Sequence, residues 1–196
     1  MRGKPKNRPE RQRFRVIAGQ WRGRRLSFPP LEGIRPSPDR VRETLFNWLG
    51  PGIEGARCLD LFAGSGALGL EALSRGAGEV VFVDRNRGAA EAIEEHLATL
   101  DCDRGRVICD TAEAFLGQGT EQFGVVFLDP PFGEDLLPRL CTLIEQRGRL
   151  AVGAYVYLER EAELGDPALP DSWSLVRSKR AGKVSYHLAT REHGKT

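Results

Sequence analysis

At 196 residues the chain is long for one small domain and short for two, and 29 basic against 27 acidic residues rule out a uniformly basic or acidic protein. No apolar run reaches bilayer length, no signal-peptide core opens the chain, and Cys58, Cys102, Cys109 and Cys141 lack CxxC spacing. These features argue against a membrane-spanning protein, a disulfide scaffold and a zinc site, and they predict a cytoplasmic protein with reduced thiols and no metal.

Charge is unevenly placed: residues 1–42 hold 13 Lys and Arg against 3 Asp and Glu, and the remainder is net acidic. A basic arm on a mildly acidic body suits a polyanionic partner, although a charge run can also be only a solvated tail. Residues 1–12 are basic and nearly devoid of apolar side chains, which predicts a disordered tail. Phe14–Ala18 reads as a strand, Gly19–Gly23 as a turn and Arg24–Phe28 as the returning strand of a basic hairpin. Pro29, Pro30 and Gly33 mark a loop. Ser37-Pro38-Asp39 carries the signature of a helix start, with Ser37 as the capping hydroxyl, and Val41, Leu45, Trp48 and Leu49 recur at helical spacing.

From residue 57 strands and helices alternate. The predicted strands are Cys58–Phe62, Glu79–Asp84, Arg106–Cys109, Val125–Leu128 and Leu150–Leu158. The predicted helices are Ala67–Arg75, Gly88–Leu100, Ala112–Leu116 and Leu136–Gln146. Such alternation predicts parallel βαβ units with both sheet faces covered. Trp173–Arg177 and Val184–Ala189, joined through Ala181-Gly182, read as an antiparallel hairpin on one edge. The expected architecture is a doubly wound α/β fold with a basic N-terminal β-hairpin extension. Its expected divisions are a tail over 1–12, a docking hairpin and helix over 13–50, a catalytic domain over 51–191 and a tail over 192–196.

The chemistry begins at the first βα turn. Gly64-x-Gly66-x-x-Gly69 matches the dinucleotide fingerprint, and Asp84 ends the second strand where a carboxylate meets ribose hydroxyls. A nicotinamide-dependent oxidoreductase is therefore one reading. Two features favour S-adenosylmethionine instead. Asp60, four residues before the first glycine, can pair with a cationic amino-acid group, which a dinucleotide lacks. No histidine is placed for hydride chemistry, since His96 falls in a helix and His187 and His193 in the tail. On this reading Asp60 and the backbone of Gly64, Ser65 and Gly66 hold the methionine part, Asp84 the ribose, and Asp110 or Thr111 borders the adenine, with Phe62 and Arg85 also expected among the cofactor-binding residues. Asp60 has a second reading, as a carboxylate capping a local turn.

Asp129-Pro130-Pro131-Phe132 ends the fourth strand at the sheet edge where ligands of such folds bind. Two prolines remove two amide donors, so the loop offers acceptors. An exocyclic amine on a nucleobase is a poor nucleophile because its lone pair is delocalised. A carboxylate and a rigid carbonyl that accept its hydrogens localise that lone pair and stabilise the developing positive charge. Phe132 offers a flat face for a splayed-out base. None of the four cysteines follows a proline, as a carbon-methylating nucleophile commonly does, so the expected target is nitrogen.

Four segments together, Val16–Arg24 (VIAGQWRGR), Arg35–Leu49 (RPSPDRVRETLFNWL), Asp60–Ala77 (DLFAGSGALGLEALSRGA) and Asp129–Phe132 (DPPF), closely resemble the RsmD family of bacterial 16S ribosomal RNA guanine-N2 methyltransferases. The resemblance runs from about residue 13 to about residue 191. It implies a class I methyltransferase fold, S-adenosylmethionine as donor with S-adenosylhomocysteine as product, and N2-methylguanosine formed on 16S rRNA, in an assembled or assembling 30S subunit. It also places Asp129–Phe132 around the target guanine. The family often has Glu at the position of Asp84 and Asn at that of His96; the first difference is functionally neutral and the second structural. The DPPF motif alone also fits enzymes that methylate DNA adenine-N6 or cytosine-N4, or another RNA.

Arg13, Arg15, Arg22, Arg24 and Arg25 alternate with Phe14 and Trp21 on the basic hairpin, a pattern suited to phosphate contacts and base stacking. With Arg40, and with Lys179 and Arg180 beside Arg177 and Lys183 on the C-terminal hairpin, they form the expected RNA-docking set, Trp21 included as a stacking residue. A non-catalytic RNA-binding module would use the same arm but has no need of a pocket motif. No dimerisation stripe is evident, and a monomer is expected.

Overall fold

The computed structural model describes residues 11–31 and 36–192. The predicted tail over 1–12 therefore lies outside the described residues except for Arg11 and Gln12, as do Gly33 of the expected loop and residues 193–196. In chain order the elements are β1 (Gln12–Arg15), β2 (Arg25–Phe28), α1 (Asp39–Leu49), β3 (Arg57–Asp60), α2 (Ala67–Ser74), β4 (Glu79–Asp84), α3 (Arg87–Thr99), β5 (Gly105–Cys109), α4 (Ala112–Gly117), β6 (Phe123–Leu128), α5 (Leu137–Gln146), β7 (Leu150–Glu161), β8 (Trp173–Ala181) and β9 (Val184–Arg191).

Seven strands form one sheet in the order β5-β4-β3-β6-β7-β9-β8. The first five are parallel, and β9 runs antiparallel between β7 and β8. After β5 the chain returns to the other side of β3, so the order reverses between β3 and β6. Reversal sends the following connections to opposite faces and opens a crevice at the carboxyl ends of those strands. Alternating side chains build two cores. Cys58, Val80, Phe82, Val125, Phe127 and Tyr157 pack beneath α1, α2, α3 and the N-terminal hairpin. Leu59, Val81, Val126, Leu128, Val156 and Leu158 pack beneath α4 and α5. Val80, Val81, Phe82 and Val83 of β4 are all fully buried, as the apolar run predicts for a strand covered on both faces.

The expected N-terminal strand over 14–18 is displaced: β1 covers Gln12–Arg15 and pairs with β2 from Gln12↔Phe28 to Arg15↔Arg25. The ladder ends because the amides of Ile17 and Ala18 donate instead to the Glu71 carboxylate on α2, at 2.7 and 3.0 Å. Phe14, Val16, Trp21, Leu26 and Phe28 join the same core as Leu70, Leu73 and Phe82. The C-terminal hairpin is longer than predicted, with nine residues in β8 and eight in β9. Its outer strand is exposed beyond Ser174, and from Arg177 to Arg180 it is polar throughout, without the apolar alternation that marks a strand. Similarly β7 continues to Glu161, past the expected end at Leu158.

Candidate active site

Beyond Asp60 the chain turns through the glycine loop into α2. Gly64 and Gly66 take positive φ angles of 51° and 77°, where a side chain is strained. A Cβ on Gly69 would stand 2.2 Å from the Phe82 ring, so the third glycine sets the close packing of α2 on β4. The half-buried Asp84 carboxylate holds this loop: Oδ2 accepts the Gly64 N–H and Oδ1 the Asn86 N–H, each at 2.7 Å. The next strand end is joined to it, since the Asp110 N–H donates to the Asp84 carbonyl at 3.1 Å. Asp110 Oδ1 accepts the Thr111 N–H, and Thr111 Oγ1 accepts the Ala114 N–H as the N-cap of α4. Around the loop Ser65 is buried, Phe62 half-buried and Arg85 exposed.

Asp60 is buried and its Oδ2 accepts the Gly69 N–H at 3.0 Å. Both of its sequence readings meet here, because that bond caps the first turn of α2 while the carboxyl still faces the loop. Burial pushes its pKa up to about 7, the Gly69 bond opposes that rise, and the charge of Asp84 adds to it. A buried carboxylate of this kind is stabilised in its charged form by a cation. The open glycine backbone, the Asp60 carboxylate and the Asp84 carboxylate thus fit a ligand that combines an ammonium with a ribose. Asp84→Ala removes the partner of two loop amides, and cofactor affinity is expected to fall by about 1–3 kcal/mol in a titration. Unchanged affinity would remove Asp84 from the site.

Asp129 follows β6 directly. Its Oδ2 accepts the hydroxyl of Ser37 at 3.3 Å, across 92 residues of sequence. This corrects the expected helix start: α1 begins at Asp39, its N-cap position is Pro38, and Ser37 makes no capping bond. The serine instead enters the site, its carbonyl accepting the Arg42 Nε–H at 3.2 Å. Asp129 lies beside Glu159 of β7, because β6 and β7 pair Leu128 with Leu158. Burial, followed by the charges of Glu159 and Asp60, raises the Asp129 carboxyl well above the usual range, and the Ser37 bond opposes the rise. Glu159 is itself buried, and its Oε2 accepts the Tyr157 hydroxyl at 2.7 Å. Burial raises its carboxyl as well.

Neither Ser37 nor Glu159 figures among the residues expected from sequence. Glu159 did leave a signal, as an acid following the apolar run Tyr155–Leu158. Downstream, Pro130 is buried, Pro131 exposed and Phe132 half exposed, at 50%. The loop is tied to β7 at two points: the Gly133 N–H donates to Glu161 Oε1 at 2.8 Å, and Arg160 pairs with Asp135 at 2.8 Å.

The expected basic set divides. Arg13, Arg15, Arg22, Arg24, Arg25 and Arg40 are exposed, with Arg15 paired to Asp39, and Arg177, Lys179, Arg180 and Lys183 are exposed on the C-terminal hairpin. Trp21 is not available for stacking on RNA. It is 8% exposed, it belongs to the core, its backbone amide donates to Ser74 Oγ, and the Arg104 guanidinium lies over its ring. Its large apolar ring gains more from burial than from a place on the charged face. Arg42 is fully buried and bonds Asp39, Glu71 and the carbonyls of Arg15 and Ser37. It therefore links the basic hairpin to the serine on Asp129. His96 packs edge-on to Phe14, and burial lowers its pKa to about 4, so it is a neutral packing group. Among the described residues no three His, Cys, Asp or Glu side chains are grouped to hold a metal, and no helix is long and apolar enough to cross a membrane.

A model of the family described as conserved hypothetical protein 95 matches residues 14–190. The chain is 50% identical to ribosomal RNA small subunit methyltransferase D of Escherichia coli strain K12 over 179 residues, covering 91% of this chain and 90% of the relative. It is 45% identical to the Haemophilus influenzae protein of the same name, covering 89% and 92%. The solved structure of yhhF from Escherichia coli superposes with a TM-score of 0.87 at 48% identity, covering 92% of this chain and 99% of that one.

Proposed function

Because this chain belongs to the family described as conserved hypothetical protein 95, to which it matches over residues 14–190, we propose that it methylates the N2 amine of a guanine in the 16S ribosomal RNA of the small subunit. The protein is a methyltransferase, and its methyl donor is S-adenosylmethionine. One observation carries this reading: the glycine loop with Asp60 and Asp84 opens onto the same sheet edge as Asp129–Phe132, on β3, β4 and β6. An oxidoreductase would leave Asp129, Glu159 and the exposed Phe132 idle. A module that only binds RNA would have no use for the buried Asp60 and Glu159 and the half-buried Asp129 clustered at the strand ends.

Asp60 and the Gly64–Gly66 backbone hold the amino-acid part of the donor, Asp84 the ribose, and Asp110 borders the adenine. When bound, S-adenosylmethionine supplies an electrophilic methyl group. Asp129 and the Pro130 carbonyl accept the two hydrogens of the amine and so direct its lone pair. Phe132 stacks on the base, and Asp129 takes the proton that the methylated nitrogen sheds. The exposed arginines of the N-terminal hairpin, Arg40 and the Lys179–Arg180 edge meet phosphates. The protein acts as a monomer in the cytoplasm on an assembled or assembling 30S subunit.

Methyl transfer from labelled S-adenosylmethionine to undermethylated 30S subunits and to deproteinised 16S rRNA tests this. N2-methylguanosine is the expected product, and methyladenine, methylcytosine or no transfer overturns the reading. The proton-accepting role sets a pH dependence. Asp129 works only when ionised, so turnover is expected to fall as pH is lowered, with the acid limb above the ordinary aspartate range near 3.9. Stability runs the other way. A carboxyl raised in the folded state contributes stability that is present below its unfolded pKa and lost as pH rises through the folded one. A rate that stays flat down to the ordinary aspartate range would exclude Asp129 as the acceptor.

A further inference from the structure

The motif loop explains how an exocyclic amine is held, but not why guanine is chosen among bases that carry one. Glu159 addresses that choice. In the parallel register of β6 and β7, Phe127 faces Tyr157 and Leu128 faces Leu158, so the next rung sets Asp129 beside Glu159. Neighbouring strands lie about 4.8 Å apart, and side chains at matched positions leave the sheet on the same face. Tyr157, two residues earlier on that face, donates its hydroxyl to Glu159 Oε2. Glu159 Oε1 takes no hydrogen bond from the described side chains or amides. Glu159 also lines the small cleft formed with Pro130, Pro131 and Phe132. Beside the acceptor for the amine there is therefore a second, fixed acceptor.

The edges of the bases differ at this point. The amines of adenine and cytosine adjoin a ring nitrogen that carries a lone pair, an acceptor. The guanine N2 amine adjoins N1–H, a donor. Two carboxylates side by side complement two adjacent donors, and they repel an edge on which a donor and an acceptor alternate. Resting on the guanine-N2 reading above, we propose that Glu159 is the specificity-determining residue of this site, its carboxylate accepting the guanine N1–H while Asp129 accepts an N2 hydrogen. Tyr157 positions it by holding Oε2 and leaving Oε1 for the base. A carboxylate on N1–H also pushes electron density toward the neighbouring amine, which helps a weak nucleophile.

The test is a double-mutant cycle between residue and base. The position methylated by the unaltered protein is mapped first. Small subunits are then assembled on 16S rRNA carrying either guanine or 2-aminopurine there. The analogue keeps the 2-amine but has a lone pair at N1. It also lacks the 6-oxygen, a loss that affects protein and variant alike and cancels in the cycle. The unaltered protein should favour guanine in kcat/KM by about 100-fold or more, since a site built around a hydrogen bond rejects an analogue that lacks it. In Glu159→Gln the Tyr157 hydroxyl claims the carboxamide oxygen and turns the amide nitrogen toward N1. Its preference for guanine should therefore vanish or reverse, with S-adenosylmethionine binding unchanged. Glu159→Asp, which keeps the charge and shortens its reach, is a second variant expected to retain part of the preference. An equal guanine preference in protein and variants overturns the proposal, as does an unaltered protein that does not discriminate. Failure to form N2-methylguanosine on natural subunits would instead overturn the functional reading itself.

Discussion

Asp129→Ala is expected to lower turnover by about 10²–10⁴-fold, the range for loss of a positioned proton acceptor that also stabilises transition-state charge, while S-adenosylmethionine binds as before. The separation follows from position. Asp129 stands at the end of β6, whereas the glycine loop and Asp84 lie at β3 and β4, and Asp129 makes no bond to them among the described residues. Removing the carboxylate also relieves like-charge repulsion with Glu159 and Asp60, so the variant should be no less stable than the unaltered protein. Single-turnover transfer and cofactor titration on one preparation would separate the two effects. Near-normal turnover would refute the mechanism, and parallel loss of cofactor binding would mean that Asp129 shapes the cofactor pocket.

Glu71→Ala should have the largest effect on stability, about 3–5 kcal/mol, or a fall in melting temperature of roughly 6–20 °C for a chain of this size. Glu71 is fully buried and bonds the amides of Ile17 and Ala18, the Arg42 guanidinium at 3.4 Å and Arg75 Nε at 2.7 Å. Truncation strands two amides and leaves Arg42, which is also fully buried, short of its counter-charge. Because these bonds tie the N-terminal hairpin to α2, amide exchange should speed up first over residues 11–31. Uniform acceleration across the sheet, or a melting temperature close to that of the unaltered protein, would show that the hairpin is held by its apolar side chains alone.

The parts of the site legible in sequence are those where local covalent chemistry leaves few choices. Gly64 and Gly66 are needed for positive φ, Pro130 and Pro131 for a loop without donors, and Asp84 for a strand end that meets a helix start. The helices from α2 to α5 and the buried strands were legible from the period of their apolar residues. Ser37, Trp21 and Glu159 were not. Ser37 has every local mark of a helix cap, yet its hydroxyl is taken by Asp129, which the fold brings alongside. Trp21 sits among arginines in sequence, and only the packing of the hairpin against α2 decides that its ring turns inward.

The order of strands and helices, the glycine loop, the rigid acceptor loop and the basic character of the arm all follow from local chemistry, because each rests on backbone preferences or side-chain periodicity within a few residues. Which carboxylates stand together follows from the fold. The return of the chain across β3 sets Asp60, Asp129 and Glu159 at one edge of the sheet, where desolvation raises all three pKa values and, at Asp129, the charges of Glu159 and Asp60 add to the rise. Burial and repulsion depend on neighbours from distant segments, and no local pattern of residues encodes them.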